Sequence, residues 1–263
     1  MIKRVTTAAI GIPILVVPLL LGGVWLRLAI AAVAVAGMAE LFRGVGAAKW
    51  GIEAAAYLAT LLYIVLLPEL GLYVPLAILV MSVAVAHITD ASREGMSVPV
   101  VAVTGFVYIA VMLGFVAMIR ELPGGVHLVW LVFLSAWGSD TFAYFVGRGL
   151  GRTKLAPVLS PSKTLEGAVG GVMGAALAGA AYAWVLGQAG AIGTGAHLAY
   201  AVICAIASVA SVFGDLSASA IKRSFGIKDF GKIFPGHGGI LDRFDSVLFT
   251  APIIYIAYNV GNF

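Results

Sequence analysis

Residues 97–119 read SVPVVAVTGFVYIAVMLGFVAMI, a run without a single charged side chain. Crossing the hydrocarbon core of a bilayer takes a helix of roughly 20 mostly apolar residues. Comparable runs recur along the chain, and they predict about nine transmembrane helices. Their approximate bounds are 5–22, 24–42, 52–68, 71–89, 97–119, 126–147, 165–187, 196–214 and 246–261. The runs are continuous and do not alternate, which favours helices over a β-barrel.

The composition agrees with this reading. Of the 263 residues, 62% are hydrophobic and 11% are charged, and the mean hydropathy is +1.07. A soluble domain is about half apolar and about a quarter charged, so a disordered chain and a single water-soluble core are both excluded. One cysteine, Cys204, excludes a disulfide-bridged secreted fold. We therefore expect an all-α, polytopic integral membrane protein with a single membrane domain over 1–263. It is divided into N-terminal helical spans (1–134) and a half that carries two charged segments (135–263), which is the half expected to hold a functional site.

The distribution of Lys and Arg predicts the orientation. With a cytoplasmic N-terminus, nine spans place 14 of the 16 basic residues on the cytoplasmic side. Only Arg27 and Arg120 fall on the other side. Because cytoplasmic loops of membrane proteins carry an excess of Lys and Arg, this bias predicts a multi-pass protein of the cell membrane with its N-terminus inside.

The polar residues gather in two segments. Residues 140–166 and 215–245 together hold 15 of the 28 charged residues of the chain. Both segments are expected on the cytoplasmic side or at helix ends that reach it. Helix packing alone does not require such a concentration of charge, so we interpret the two segments as two halves of one site.

The second segment has the composition of a metal and phosphate site. Asp215 closes an apolar helix, with Ser219 and Lys222 on the same face if the helix continues, and Asp242 and Asp245 are three positions apart. Carboxylates without a Cys or His cluster suit a hard cation such as Mg²⁺. The surrounding cations are Lys222, Arg223, Lys228, Lys232 and Arg243. The stretch 235–239 (PGHGG) allows backbone amides to approach an anion.

The first segment adds an anion-binding helix start. Ser162 or Thr164 can cap the helix that follows, and Lys163 and the first amides of that helix would point at an anion together. Asp140 lies inside a predicted span, where a carboxylate is costly and needs a partner. Gly170, Gly171 and Gly174 are best explained by close helix packing.

Residues 219–245 read SAIKRSFGIKDFGKIFPGHGGILDRFD. This stretch resembles the signature of the phosphatidate cytidylyltransferase (CDP-diacylglycerol synthase) family. The matching positions are Ser219, Lys222, Arg223, Lys228, Asp229, Gly231, Pro235, His237, Gly238, Gly239, Asp242, Arg243 and Asp245. The stretches 137–144 (WGSDTFAY) and 160–167 (SPSKTLEG) resemble secondary motifs of the same family. Residues 1–134 carry no such motif.

The resemblance implies a nucleotidyltransferase that makes CDP-diacylglycerol and diphosphate from CTP and phosphatidate at the membrane surface. It implies one or two metal ions, at least one of them Mg²⁺, on Asp215, Asp242 and Asp245, with Asp140 as a further contributor. The expected catalytic residues are Asp215, Lys222, Arg223, Lys228, Asp242 and Asp245. The expected substrate-binding residues are Ser162, Lys163, Ser219, Lys232, His237, Gly238, Gly239 and Arg243. CTP, phosphatidate and membrane lipids are the expected partners, and no nucleic acid is expected.

Two other classes of protein fit the sequence less well. A secondary transporter also buries carboxylates in its spans, but it is expected to show two repeated halves with broken helices, and the chain shows no such symmetry. A CDP-alcohol phosphotransferase also combines aspartate-bound metal with lipid, but its aspartate-rich motif is not present. The sequence does not determine the acyl-chain preference, the selectivity for CTP over dCTP or the identity of a second cation. It also leaves open whether the protein forms a homodimer and what Glu40 and Asp90 do.

Overall fold

The computed structural model describes residues 2–47, 50–66, 79, 81, 97–193, 195–233 and 238–261. Its helices are α1 (Ile2–Leu21), α2 (Gly23–Gly44), α3 (Trp50–Val65), α4 (Ser97–Gly105, π-helical Phe106–Val111, Met112–Glu121), α5 (Gly125–Phe133, π-helical Leu134–Gly138, Ser139–Leu150), α6 (Leu165–Gln188), α7 (His197–Ser224) and α8 (Leu241–Gly261). Strands β1 (Lys154–Ala156) and β2 (Ser160–Thr164) form one antiparallel hairpin.

Six of these helices are long and apolar enough to cross a bilayer. They are Gly23–Gly44, Val98–Glu121, Gly125–Leu150, Leu165–Gln188, His197–Ser224 and Leu241–Gly261, and Trp50–Val65 is a shorter apolar helix. The expectation of an all-α, multi-pass membrane protein is confirmed in this form. Apart from residues 79 and 81, the predicted span at 71–89 lies outside the described residues. The number of nine spans and the cytoplasmic N-terminus stay predictions.

Two helices extend beyond the bounds predicted from hydropathy. α7 continues past the predicted end at 214 to Ser224, because Ala, Lys and Arg after Asp215 are good helix formers although the apolar run has ended. α8 begins at Leu241 rather than 246. As a result, Asp215, Ser219 and Lys222 lie on one continuous helix, as their spacing predicted.

The chain folds into two compact units. Unit 1 contains Met1–Glu121 and Ser224–Phe244, and unit 2 contains Leu122–Arg223 and Asp245–Phe263.

In unit 1, α2 packs against α3 and α4 through an apolar interior. Met38 and Phe42 of α2 are fully buried. A Cβ atom at Gly105 would lie 2.7 Å from the Sδ atom of Met38, so α4 approaches α2 closely at this glycine. The rings of Tyr63 and Phe106 meet edge to face with centroids 5.7 Å apart.

The two arginines that are exceptions to the charge bias have structural partners in unit 1. Gly22 and Gly23, both with positive φ, form the tight turn that the sequence predicted between α1 and α2. Arg120 donates to the backbone oxygens of Leu19 (2.9 Å) and Leu20 (3.0 Å), which belong to the last turn of α1. Arg27 pairs with Glu121 at 3.0 Å. Arg120 therefore satisfies carbonyl groups that a helix end leaves without intrahelical partners.

In unit 2, α6 carries a glycine face toward α5 and an apolar face outward. A Cβ atom at Gly171 would lie 2.9 Å from the backbone oxygen of Ser139, and one at Gly174 would overlap the ring of Phe142. The close packing predicted for these glycines is confirmed. On the outward side, Met173, Leu177 and Trp184 are more than half exposed, as expected of side chains that face lipid.

We expect Gly171→Ala to lower the free energy of unfolding by about 1–3 kcal/mol, because the neighbouring atom is backbone and cannot move aside cheaply. The measurement is denaturant unfolding in detergent micelles followed by circular dichroism. Gly149→Ala is the matched control, since Gly149 is also helical and no neighbouring group lies within 4 Å of the position that its Cβ atom would take. Equal unfolding of the two variants would contradict the packing argument.

Candidate active site

The β-hairpin of unit 2 was not predicted, and it carries two expected site residues. The register pairs Lys154 with Thr164 and Ala156 with Ser160. Ser162 and Lys163 lie on β2, directly before α6. The Glu166 carboxylate, in the first turn of α6, accepts hydrogen bonds from the backbone amides of Arg152 (3.0 Å) and Thr153 (3.1 Å). Glu166 thereby ties the strand connection to the helix that β2 enters.

The start of α6 differs in part from the expectation. Thr164 rather than Ser162 is the N-cap, because its Oγ1 accepts from the amide of Gly167 at 3.1 Å. The amide of Leu165 donates to the backbone oxygen of Thr153 at 2.9 Å. These two amides are therefore bonded within the chain, and the anion-binding contribution expected of this helix start falls on Lys163.

Lys163 forms an ion pair with Asp215 of α7. About a quarter of each side chain is exposed, 23% for Lys163 and 26% for Asp215. The Oγ of Ser219, one turn further along α7, donates to Asp215 Oδ1 at 3.4 Å. The ion pair joins the two charged segments of the sequence within unit 2.

A second carboxylate, Asp245, is buried near this pair. Asp245 is 7% exposed, and its Oδ1 accepts from the amide of Ser246 at 2.7 Å. The charges of Asp215, Lys222 and Asp140 all act on it. α7 and α8 approach closely here, since a Cβ atom at Gly214 would lie 2.6 Å from the backbone oxygen of Asp245. The structure therefore brings Asp140, Asp215, Lys222 and Asp245 into one electrostatic cluster.

The donor set of this cluster fits Mg²⁺. In the part of the chain that the structure describes, no three His, Cys, Asp or Glu side chains converge as a ready metal shell. Proteins usually hold Mg²⁺ through one or two carboxylates, with water and substrate phosphates as the other ligands. Asp215 and Asp245 satisfy that requirement by donor type, because both offer oxygen and neither is fully exposed to solvent.

A cavity of about 370 Å³ in unit 2 opens onto the Lys163–Asp215 pair. Its polar lining includes Asp140, Ser162 and Arg148. Arg148 donates to the hydroxyl of Tyr144 at 3.1 Å, and both side chains are exposed. Neither residue was among the expected site residues, although their spacing of four on one helix places them on the same face. The cavity is large enough for a phosphate-bearing group and carries cations on its wall.

The residues 228–243 of unit 1 form the second set of expected site residues. Asp242, in the first turn of α8, accepts two hydrogen bonds of 2.9 Å at Oδ2, from the amides of Phe230 and Gly239. Gly238 has φ of 82°, which favours glycine, and a Cβ atom there would lie 3.0 Å from the same oxygen. Asp242 thus joins Phe230 to Gly239 within the segment 228–243, called the signature segment below.

The cationic residues expected to bind phosphate differ in their exposure to solvent. Lys228, Lys232 and Arg243 of unit 1 and Arg223 of unit 2 are exposed, whereas Lys222 is buried. His237 lies outside the described residues, as does Asp90. Glu40, whose role the sequence left open, contacts the signature segment directly through its carboxylate.

These features define a class of protein: a multi-pass helical membrane protein with a polar centre suited to phosphate groups. The family model for the Cytidylyltransferase family matches residues 2–260, so the chain belongs to this family. It is accordingly a nucleotidyltransferase, and the resemblance drawn from residues 219–245 is confirmed.

The chain is similar to several curated proteins named phosphatidate cytidylyltransferase. It is 36% identical to one from Thermotoga maritima over 71% of this chain and 69% of that protein. It is 43% identical to one from Synechocystis over 52% of this chain and 44% of that protein. It is 40% identical to one from Staphylococcus saprophyticus over 55% of this chain and 54% of that protein. The last two alignments span about half the length of the relatives.

Proposed function

We propose that this protein transfers the cytidylyl group of CTP to phosphatidate, giving CDP-diacylglycerol and diphosphate. The proposal is supported by the family, by the names of the similar proteins and by the signature at 219–245. The bias of Lys and Arg supports a location in the cell membrane, with the site open to the cytoplasm where CTP is found.

The observation that carries the proposal is the Lys163–Asp215 pair at the wall of the cavity. In the reaction, an oxygen of the phosphatidate phosphate forms a bond to the α-phosphorus of CTP, and the bond from that phosphorus to diphosphate breaks. The attacking phosphate is already ionised, so the reaction needs no strong general base. It needs fixed cations that bring two anions together and stabilise the departing diphosphate.

We assign Mg²⁺ to Asp215 and Asp245, and keep Asp140 and Asp242 as predicted contributors. Bound Mg²⁺ would neutralise phosphate charge in the transition state and fix the phosphate oxygens in position. Lys163 holds the Asp215 carboxylate in place, with Ser219 donating to its other oxygen, and offers its own charge to a phosphate. Lys222 supplies a second positive charge close to Asp245. Arg148 and Ser162 offer further donors at the cavity wall.

We assign the nucleotide to the signature segment of unit 1. Lys228, Lys232 and Arg243 are exposed cations that suit the triphosphate. Arg223, an exposed cation of unit 2, keeps its predicted role toward phosphate. Gly238, Gly239 and His237 keep their predicted place beside the nucleotide, although the amide of Gly239 is buried and donates to Asp242. The binding of a second cation and the formation of a homodimer remain expectations from the sequence.

The test uses purified protein in detergent micelles with α-labelled CTP, phosphatidate and Mg²⁺. We expect labelled CDP-diacylglycerol that requires all three components, with release of one diphosphate for each lipid formed. Diacylglycerol in place of phosphatidate is the matched control, because it lacks the attacking phosphate. Helical, monodisperse protein that yields no labelled lipid would contradict the proposal.

A further inference from the structure

Glu40 is a buried carboxylate in the apolar helix α2. It is 2% exposed. Its Oε1 accepts from the amide of Ile240 at 3.0 Å and its Oε2 from the amide of Leu241 at 2.9 Å. α8 begins at Leu241, so both donors belong to the start of that helix. A carboxylate suits this position because the first amides of a helix lack intrahelical partners and carry partial positive charge.

Two glycines of the signature segment lie against the same carboxylate. A Cβ atom at either Gly231 or Gly239 would overlap the Oε atoms of Glu40. These glycines are on opposite sides of the stretch 234–237 along the chain. Neither Gly231 nor Gly239 is among the described glycines with a positive φ, so backbone conformation does not require glycine at these positions. The contact with Glu40 instead explains why they carry no side chain.

Glu40 acts together with Asp242. Asp242 accepts from the amides of Phe230 and Gly239, and Glu40 accepts from those of Ile240 and Leu241. Four backbone amides of the signature segment therefore donate hydrogen bonds to two carboxylates. Asp242 belongs to the segment itself, whereas Glu40 lies about 200 positions away in sequence and anchors the segment to α2.

We propose that Glu40 is a positioning residue of the enzyme. It fixes the start of α8 and the glycines of the signature segment, and so sets the positions of the cations that bind the triphosphate of CTP. The inference rests on the proposed function, because that function assigns the nucleotide to this segment. Glu40 acts through Lys232 and Arg243 and not by contact with the reacting atoms.

The variants that test this are Glu40→Ala and Glu40→Gln, with Glu53→Gln as the matched control. Glu53 is a carboxylate of the same unit that accepts from the hydroxyl of Tyr57. Hydrogen exchange of the peptide that contains residues 240 and 241 is expected to accelerate about tenfold in Glu40→Ala, as each amide loses its acceptor. Glu53→Gln is expected to exchange like the wild type. Wild-type exchange in Glu40→Ala would overturn the proposal.

Measurements of KM distinguish a positioning role of Glu40 from a general loss of stability. For Glu40→Ala we expect KM for CTP to rise about tenfold, with KM for phosphatidate within about twofold of the wild type. Glu40→Gln, which keeps one acceptor, should lie between. Equal changes in both KM values, or loss of activity that only follows the loss of folded protein, would overturn the assignment.

Gly231→Ala adds a third readout. Its methyl group would meet Glu40, so this variant should lose activity in the wild-type background and lose much less in Glu40→Ala. If the two substitutions reduced activity by factors that simply multiply in the double variant, direct contact between residues 231 and 40 would be contradicted. If the wild-type protein makes no labelled lipid, the proposed function fails, whereas the exchange data still decide whether Glu40 holds the segment.

Discussion

Asp215→Asn is expected to reduce the rate of cytidylyl transfer by more than about 100-fold, since a metal-bound carboxylate contributes several kcal/mol of transition-state stabilisation. The same change removes the partner of Lys163 and leaves Ser219 without a charged acceptor. The protein should remain in the membrane, because Asp215 is about a quarter exposed and does not support the apolar interior. The measurement is the initial rate of labelled lipid formation at saturating CTP, phosphatidate and Mg²⁺.

Glu121→Gln is the matched control for this variant. It also removes the carboxylate of an ion pair, with Arg27, and neither residue is among the expected site residues. A partly exposed ion pair of this kind contributes about 0–1 kcal/mol, so activity should stay near that of the wild type. Near-normal turnover of Asp215→Asn would show that the metal assignment is wrong.

Asp245→Asn is expected to raise the Mg²⁺ concentration for half-maximal activity by about tenfold or more, in addition to lowering the maximal rate. Asparagine keeps the size and one oxygen of the side chain but removes the negative charge that attracts the cation. Asp245→Glu should recover part of the Mg²⁺ affinity, because it restores the carboxylate at a longer reach. The measurement is a Mg²⁺ titration of the initial rate for each variant.

The titration separates a metal ligand from a structural carboxylate. A residue that only packs α8 against α7 would lower the amount of folded protein without moving the Mg²⁺ midpoint. Unchanged midpoints in Asp245→Asn would therefore remove Asp245 from the metal site. Thermal unfolding of the same samples, with Glu121→Gln beside them, shows how much of any loss comes from instability.

The membrane spans could be predicted because their physics is local. A helix that crosses a bilayer must satisfy its backbone internally and present apolar side chains, and both requirements are visible in a window of roughly 20 residues. The ends of α7 and α8 were placed less well, because hydropathy falls at Gly214 while helix propensity continues to Ser224. The β-hairpin was missed, since three- and five-residue strands between two helices leave little periodic signal.

The sequence by itself determined the class of the protein, the family and the residue types of the site, because apolar length and the spacing of 219–245 can be read without coordinates. Only the tertiary structure decided which residues meet. Lys163 of strand β2 reaches Asp215 of α7, and Glu40 reaches Leu241 over 201 positions. These partners carry no mutual signal in one sequence, because a hydrogen bond or ion pair depends on distance in space, and packing alone brings such distant residues together.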